Sequence, residues 1–435
     1  MAERPGQPQH APATPVYILR GHAAPIHALD IFSRNLRLVS GDAEGWIVVW
    51  DLVTKRPVTV WKAHEGAVLE VKGFCIGNGG SEIYTHGRDH KLCVWKIRVE
   101  DEGFLDKTLP VDYSTGRGSA QTGSQPWLVH SLPVNALNFC AFAMTFIDAI
   151  RSSSTGDAQE TSNPDKILLA VPNALDSGGI DIFHLPSERR ITTIPSDPSI
   201  QTGMVMAVNI FLSPPGDVYV VSAFEDGHVM VSMHRGPLTA AEMEPGNAAS
   251  SSWRWEKLYI SRPHTQPVLS IDVSPARDYF LSSSADALII KHPIPSPDSD
   301  GGMPVVNRKE DLPLKTTNTK HSGQQGLRMR RDGKIYATAG WDSRIRVYSG
   351  KTMKELAVLK WHQEGCYSVA FGEVAPSCES LSPDGPESET NPRQITHSQS
   401  LSLAAIRRQR DQKIQQTHWL AAGSKDGKIS LWDIY

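Results

Sequence analysis

The sequence predicts an all-β fold built by repetition of one unit. Three observations predict it. An opening frame recurs along the chain, a turn acid with an aromatic six positions on follows most copies, and the runs between them read as strands. Repeats come first because missing them misreads the whole fold.

The opening frame is His-x-x-Pro, an apolar residue, and a second apolar residue three positions on. It stands at His22–Leu29, His130–Leu137 and His264–Ile271. Looser copies run His64–Val71 and His362–Val369. In Gln201–Val208 a Gln replaces the His, and a copy near His321 slips one residue to reach Leu327 and Met329. The second signal is clearest at Asp89–Trp95, Asp342–Tyr348 and Asp426–Trp432. Glu44–Trp50 carries Glu in the acid position. Asp226 and Asp286 begin weaker versions ending at Ser232 and His292, and the copy from Asp176 to Phe183 is one residue longer. The intervening runs are rich in β-branched and aromatic residues and punctuated by Gly, Asp, Asn and Pro, which is strand grammar.

This pattern resembles the WD-repeat family, in which about 40–45 residues form the four strands of one propeller blade. The resemblance runs from Val16 to Tyr435 and implies a seven-bladed β-propeller, a single domain over 16–435 behind a disordered tail, 1–15. Each unit lends its last strand to the next blade, so the run Val16–Leu19 is expected to complete the blade ending at Trp432-Asp433 and remove a sheet edge. The resemblance also implies a His–Asp–Ser/Thr–Trp network that orients the ring of the opening His. His64, Asp89 and Trp95 carry it over best, then His362, Asp426 and Trp432. His22, Glu44 and Trp50 form a variant, and His264, Asp286 and Asp342 complete the expected set.

Seven units of about 45 residues need roughly 315, leaving about 120 of the 435 for the tail and insertions. Insertions are expected near 99–126, 235–252 and 293–312, between third and fourth strands, and near 151–165 and 373–416, between first and second. In an up-and-down blade both kinds of connection fall on one face. Ser, Pro and acidic residues mark these stretches as flexible, most clearly Glu373–Ser400. Leu403–Gln416 differs: rich in helix formers and basic through Arg407, Arg408, Arg410 and Lys413, it reads as a solvated helix, with a docking or nuclear-import helix as the alternative. A second basic group, Arg328, Arg330, Arg331 and Lys334, lies on a strand and its turn, where alternation sends its members to different faces.

Composition narrows the function. With 44 Lys+Arg against 47 Asp+Glu, the net charge of −3 supplies no general drive toward nucleic acid or anionic membrane. Five scattered cysteines without a C-x-x-C pair argue against a disulfide framework or zinc site. No apolar run reaches the ~18–20 residues of a membrane helix, and Met1–His10 lacks a signal-peptide core. Gly350-Lys351-Thr352 ends like a phosphate loop, but Ile345 stands where the leading Gly belongs. The histidines open different repeats and cannot converge on one ion. Inner-strand positions read mostly as Val, Ile, Ala, Leu and Ser. No catalytic, cofactor or metal site is expected, and the fold reads as an interaction platform rather than an enzyme.

A closer likeness rests on Val16–His22, Gly45–Trp50, Lys55–Val58, Trp61–Gly66, Thr85–His90 and His418–Trp432. These segments are similar to the fungal ASTRA-associated protein 1 family. That resemblance implies a non-enzymatic scaffold in a nuclear assembly linked to chromatin remodelling, with the cytoplasm as a second compartment. Its partners would be Tel2/Tti-type maturation factors, a phosphatidylinositol-kinase-like protein and RuvB-like ATPases, with no direct nucleic-acid or membrane contact. Competing readings are a ubiquitin-ligase substrate receptor or another signalling or RNA-processing scaffold. A G-protein β-type subunit would carry an N-terminal coiled coil, against which Pro5, Pro8, Pro12 and Pro15 count.

Overall fold

A computed structural model describes residues 13–114, 124–135, 140–147, 166–214, 216–236, 238, 253–296, 311–374 and 403–434. The expected flexibility of 1–12, 151–165 and 375–402 lies outside them.

The chain forms seven four-stranded antiparallel sheets, each a blade with strands a to d from the axis outward. Blade 1 is Ile26–Phe32, Arg37–Asp42, Trp46–Asp51 and Arg56–Lys62. Blade 2 is Val68–Cys75, Ser81–Gly87, Lys91–Ile97 and Trp127–Pro133. Blade 3 is Ala143–Phe146, Ile167–Pro172, Ile180–Leu185 and Arg189–Ile194. Blade 4 is Val205–Ser213, Asp217–Phe224, Val229–His234 and Trp255–Ser261. Blade 5 is Val268–Val273, Tyr279–Ser284, Leu288–Pro293 and Lys315–Asn318. Blade 6 is Gln324–Met329, Ile335–Gly340, Ile345–Ser349 and Glu355–Leu359. Blade 7 joins Cys366–Phe371, Trp419–Ser424 and Lys428–Asp433 to the N-terminal strand Tyr17–Arg20, which pairs Tyr17 with Leu431 and Arg20 with Lys428.

The core is not one mass but seven apolar clusters, each bridging two neighbouring blades. This closes the ring. Leu19, Ile26, Trp50 and Leu431, for example, seal blade 7 onto blade 1. In six blades a bulge follows the first residue of strand a, as between Ile26 and Ala28 or Val68 and Glu70. One extra residue there resets which side chains face the axis.

The strand bounds put the insertions where the sequence places them. Blades 2, 4 and 5 carry theirs between c and d, and blades 3 and 7 between a and b. One correction concerns 99–126. Its first part is packed against blade 1, not loose: Leu105 is buried, and Val60 N–H donates to Asp106 O at 2.7 Å. The short helix α1, Pro110–Ser114, follows, with Val111 N–H on Gly21 O. Leu403–Gln416 is a helix, α2, docked through Trp419, whose indole donates to Ile414 O at 2.9 Å.

A second correction concerns His130. Its His-x-x-Pro frame belongs to the end of strand d in blade 2, where His130 sits opposite Val94 and its Nδ1 lies 2.6 Å from Glu188. Strand a of blade 3 starts only at Ala143. A strand that ends in Pro after a half-buried His imitates the opening frame.

Candidate functional site

Blade 2 holds the network in full. His64 Nδ1 lies 2.9 Å from Asp89, its Nε2 2.8 Å from Thr85 Oγ1, and Trp95 Nε1 donates to the same hydroxyl at 3.0 Å. Burial pushes the Asp89 carboxyl up, but the bonds from His64 and from Glu65 N–H outweigh it and leave it below the usual range. Blade 5 is similar: His264 contacts Asp286 at 3.1 Å and Ser282 at 2.8 Å, with His292 in place of Trp, 2.9 Å from Ser282.

Blade 1 departs from expectation. His22 pairs with Asp42 at 2.7 Å, not with Glu44, and its other nitrogen meets Ser40 at 2.7 Å, to which Trp50 Nε1 donates at 2.9 Å. Asp42 and Ser40 are two apart on one strand, so both reach the same side of the ring. Glu44 stays in the turn, its N–H bonded to Asp42. The equivalent position in blade 2 is Gly87, where a Cβ would lie 2.4 Å from His64. A side chain there therefore touches the imidazole, and that neighbouring acid was the signal.

Blade 7 keeps the hydroxyl but moves it. His362 Nε2 lies 2.8 Å from Ser430, and Trp432 Nε1 donates to Ser430 at 2.8 Å. Ser430 faces Ala422 across the b–c ladder, as Val48 faces Ser40 and Cys93 faces Thr85. Asp426 does not complete the network. It lies 4.0 Å from His362 Nδ1 and is held instead by Lys428 at 2.7 Å. Burial, only partly opposed by Asp426, pushes His362 down to about 4. In blade 6 Gln324 takes the imidazole's place against Thr338 at 2.6 Å, while Asp342 pairs with Arg346 at 2.5 Å and lies 3.6 Å from the half-exposed His321.

The axis carries a polar ring that corrects the apolar expectation. The fifth residue of strand a is Asp30, Lys72, Asn209, Asp272 and Arg328 in blades 1, 2, 4, 5 and 6. Two of these stitch blades together. Asp30 accepts Gly73 N–H at 2.9 Å from blade 2, and Asp272 accepts Met329 N–H at 2.6 Å from blade 6. Gly73 must be glycine, since a Cβ would lie 2.5 Å from the Phe32 ring. Burial raises the carboxyls of Asp30 and Asp272 against their cationic neighbours. Arg328 is opposed by burial, but Glu70 at 2.5 Å, Asp272 and Asp30 hold it charged. Of its basic group, Arg330 turns away to Asp332 at 2.8 Å, whereas Arg331, in the turn beyond the strand, lines the same mouth as Arg328, against the expectation that alternation separates them.

Around these residues the axis opens into a chamber of about 300 Å³, which meets a mouth of about 610 Å³ on the a–b rim. Among the described residues no three His, Cys, Asp or Glu side chains are grouped to hold a metal ion. Gly350-Lys351-Thr352 is a tight turn, with Gly350 N–H spent on Lys334 O at 2.8 Å. What this geometry offers is a rigid ring whose interior charges bind one another and whose insertion-bearing face opens on a charged cavity.

The family profile described as ASTRA-associated protein 1 matches residues 15–432. The chain is 64% identical to ASTRA-associated protein 1 of Penicillium rubens over 436 residues, covering 98% of each chain. It is 58% identical to that of Aspergillus niger over 449 residues, covering all of both. The Schizosaccharomyces pombe protein of that name is 31% identical over 383 residues, covering 82% of this chain and 93% of the relative. Matched from its first strand to its last, this seven-bladed propeller belongs to the ASTRA-associated protein 1 family.

Proposed function

We propose that the protein is a non-enzymatic scaffold subunit of the ASTRA complex. In this reading it works in the nucleus, contributes to chromatin remodelling, and binds Tel2/Tti-type factors during maturation of a phosphatidylinositol-kinase-like protein, beside RuvB-like ATPases. One observation carries the reading: the family match spans 15–432, every blade included, and the relatives bear the name ASTRA-associated. The chemistry of the ring supports it. The imidazoles of His22, His64 and His264 and the carboxylates of Asp30 and Asp272 are engaged in holding strands and blades together.

The test is affinity purification of the tagged full chain with mass spectrometry of what is retained. Tel2/Tti-type proteins and the kinase-like protein are expected at near-stoichiometric level. Recovery of cullin adaptors or a γ-like subunit, with no kinase-maturation factor, would sink the assignment in favour of a substrate receptor or signalling scaffold.

A further inference from the structure

The mouth on the a–b rim is built differently from the rest of the surface. Arg34, Lys72, Arg328 and Arg331 line it, against Asp30 and Glu373. The charges are layered. Glu70 and Asp272 lie inward, along the axial chamber, and Glu70 binds Arg328 there. Arg34 and Arg331 lie outward and exposed, and the Arg331 side chain is 76% accessible, with Glu373 at 3.8 Å. An exposed pair at that distance is weak and easily exchanged. The half-buried rings of Phe74 and Phe371 give the cavity apolar walls. Gln415 of α2 borders it, so the helix joins the same rim. The exposed cations of α2 do not line the mouth: Arg410 and Lys413 border a separate cavity with His418 and Asp433.

We propose that this mouth captures an acidic segment of a partner protein, anionic side chains against the outer cations and an apolar residue between the two phenylalanines. The cavity is large enough for a few side chains, at about 610 Å³. Carboxylate and phosphoserine present the same anionic chemistry to guanidinium groups. The proposal rests on the scaffold reading only in taking the ligand to be a protein, and its test needs none of the partners named above.

Purified full-length protein is titrated into three short fluorescein-labelled peptides: one of Glu and Leu, one with phosphoserine replacing Glu, one with Lys replacing Glu. Anisotropy is expected to report salt-sensitive binding of one or both anionic peptides and none of the basic one; the tighter of the two identifies carboxylate or phosphate as the group recognised. Arg331→Glu and Lys72→Glu should each weaken binding about tenfold. Lys425→Glu, in the b–c turn of blade 7 on the opposite rim, should leave it unchanged. Cys75 is exposed and lines the mouth, so its alkylation in the unmutated protein should slow when peptide is bound, whatever the variants do to folding. The proposal is overturned if neither anionic peptide binds, if Lys425→Glu weakens binding as much as Arg331→Glu, if Cys75 is not protected, or if single-stranded RNA of equal charge binds more tightly than both peptides.

Discussion

Asn35 grips Glu373 from both sides of its peptide. The Asn35 amide oxygen accepts Glu373 N–H at 2.6 Å, and its amide nitrogen donates to Glu373 O at 2.9 Å. The same nitrogen reaches Gln415 O at 3.0 Å, at the other end of the 373–416 insertion. One buried side chain from blade 1 thus ties off the longest loop of blade 7. Its backbone is left-handed, φ 66°, a conformation Asn tolerates better than most residues. Asn35→Ala is expected to cost about 2–4 kcal/mol in urea unfolding, since it strands buried peptide groups and keeps the strained φ. Removing 377–400 while keeping Glu373 should change stability by less than about 1 kcal/mol, because loop closure depends only logarithmically on length. Equal losses in the two variants would show that the insertion itself, and not its clamp, is what packs.

The hydroxyl shared by imidazole and indole sits on strand b in blades 1 and 2, as Ser40 and Thr85, and on strand c in blade 7, as Ser430. Ser430→Ala should cost about 2–3 kcal/mol, leaving Trp432 Nε1 buried without an acceptor and His362 Nε2 without a partner. Adding Ala422→Ser puts a hydroxyl back on the other side of the same rung and should recover more than half of that loss. A double variant no more stable than Ser430→Ala would mean that the serine acts through something other than this bond.

These cases show what the chain makes legible. Blade count, strand order, closure by Val16–Leu19 and the address of the insertions follow from a period and a hydrophobic alternation, which are properties of many residues at once. Individual partners do not. Glu44 occupies the acid's place in the frame, yet Asp42 wins His22 because it shares a strand face with Ser40. Asp426 matches the pattern, but Lys428 two residues on draws it away from His362. The axial ring was hidden for a related reason. Asp30, Lys72, Asp272 and Arg328 stand in four strands of unlike sequence, and the bulge near the start of strand a is what they have in common. Asn35 had no signal, because its partners lie more than 300 residues away.

Buried neutral imidazoles make the fold sensitive to mild acid. Burial pushes His362 down to about 4 and His86 to about 3, and it holds His292 well below its ordinary value. The unfolded chain takes up these protons near pH 6.5, so it binds more protons than the folded state below that pH. Stability is therefore full above about pH 6.5 and falls as pH drops toward 4. Each group contributes at most about 1.4 kcal/mol per pH unit, or roughly 2 kcal/mol between pH 6.5 and 5. Urea midpoints at pH 7.5 and pH 5 should show the loss, and His362→Gln should show a shallower one. The window stops at pH 5 because Asp89, Asp286 and Asp342 titrate below their ordinary range and do not enter it. The raised carboxyls of Asp30 and Asp272 act in the opposite sense, so the deciding comparison is the variant: a pH dependence unchanged by His362→Gln would mean that this ring is charged or exposed in the folded protein.

The N-terminal strand is the latch of the ring. Tyr17–Arg20 pairs residue by residue with Lys428–Leu431, and Val16 N–H donates to Leu431 O at 2.7 Å. Leu19 is 1% exposed and packs in the same cluster as Trp50 and Ile429, between blades 7 and 1. Leu19→Ala should cost about 3 kcal/mol, the transfer term plus a cavity that two rigid sheets cannot close. Removing residues 1–20 is a larger change, because it also leaves strand c of blade 7 with an unpaired edge, and such edges recruit other chains. The truncated protein is expected to aggregate where Leu19→Ala stays monomeric, as read by size-exclusion chromatography with light scattering. Supplying the missing strand in trans, as a peptide of residues 14–21, should restore the monomer. If the truncated chain instead stays monomeric with an unchanged melting temperature, blade 7 is closed by its three other strands alone and the latch has no part in stability.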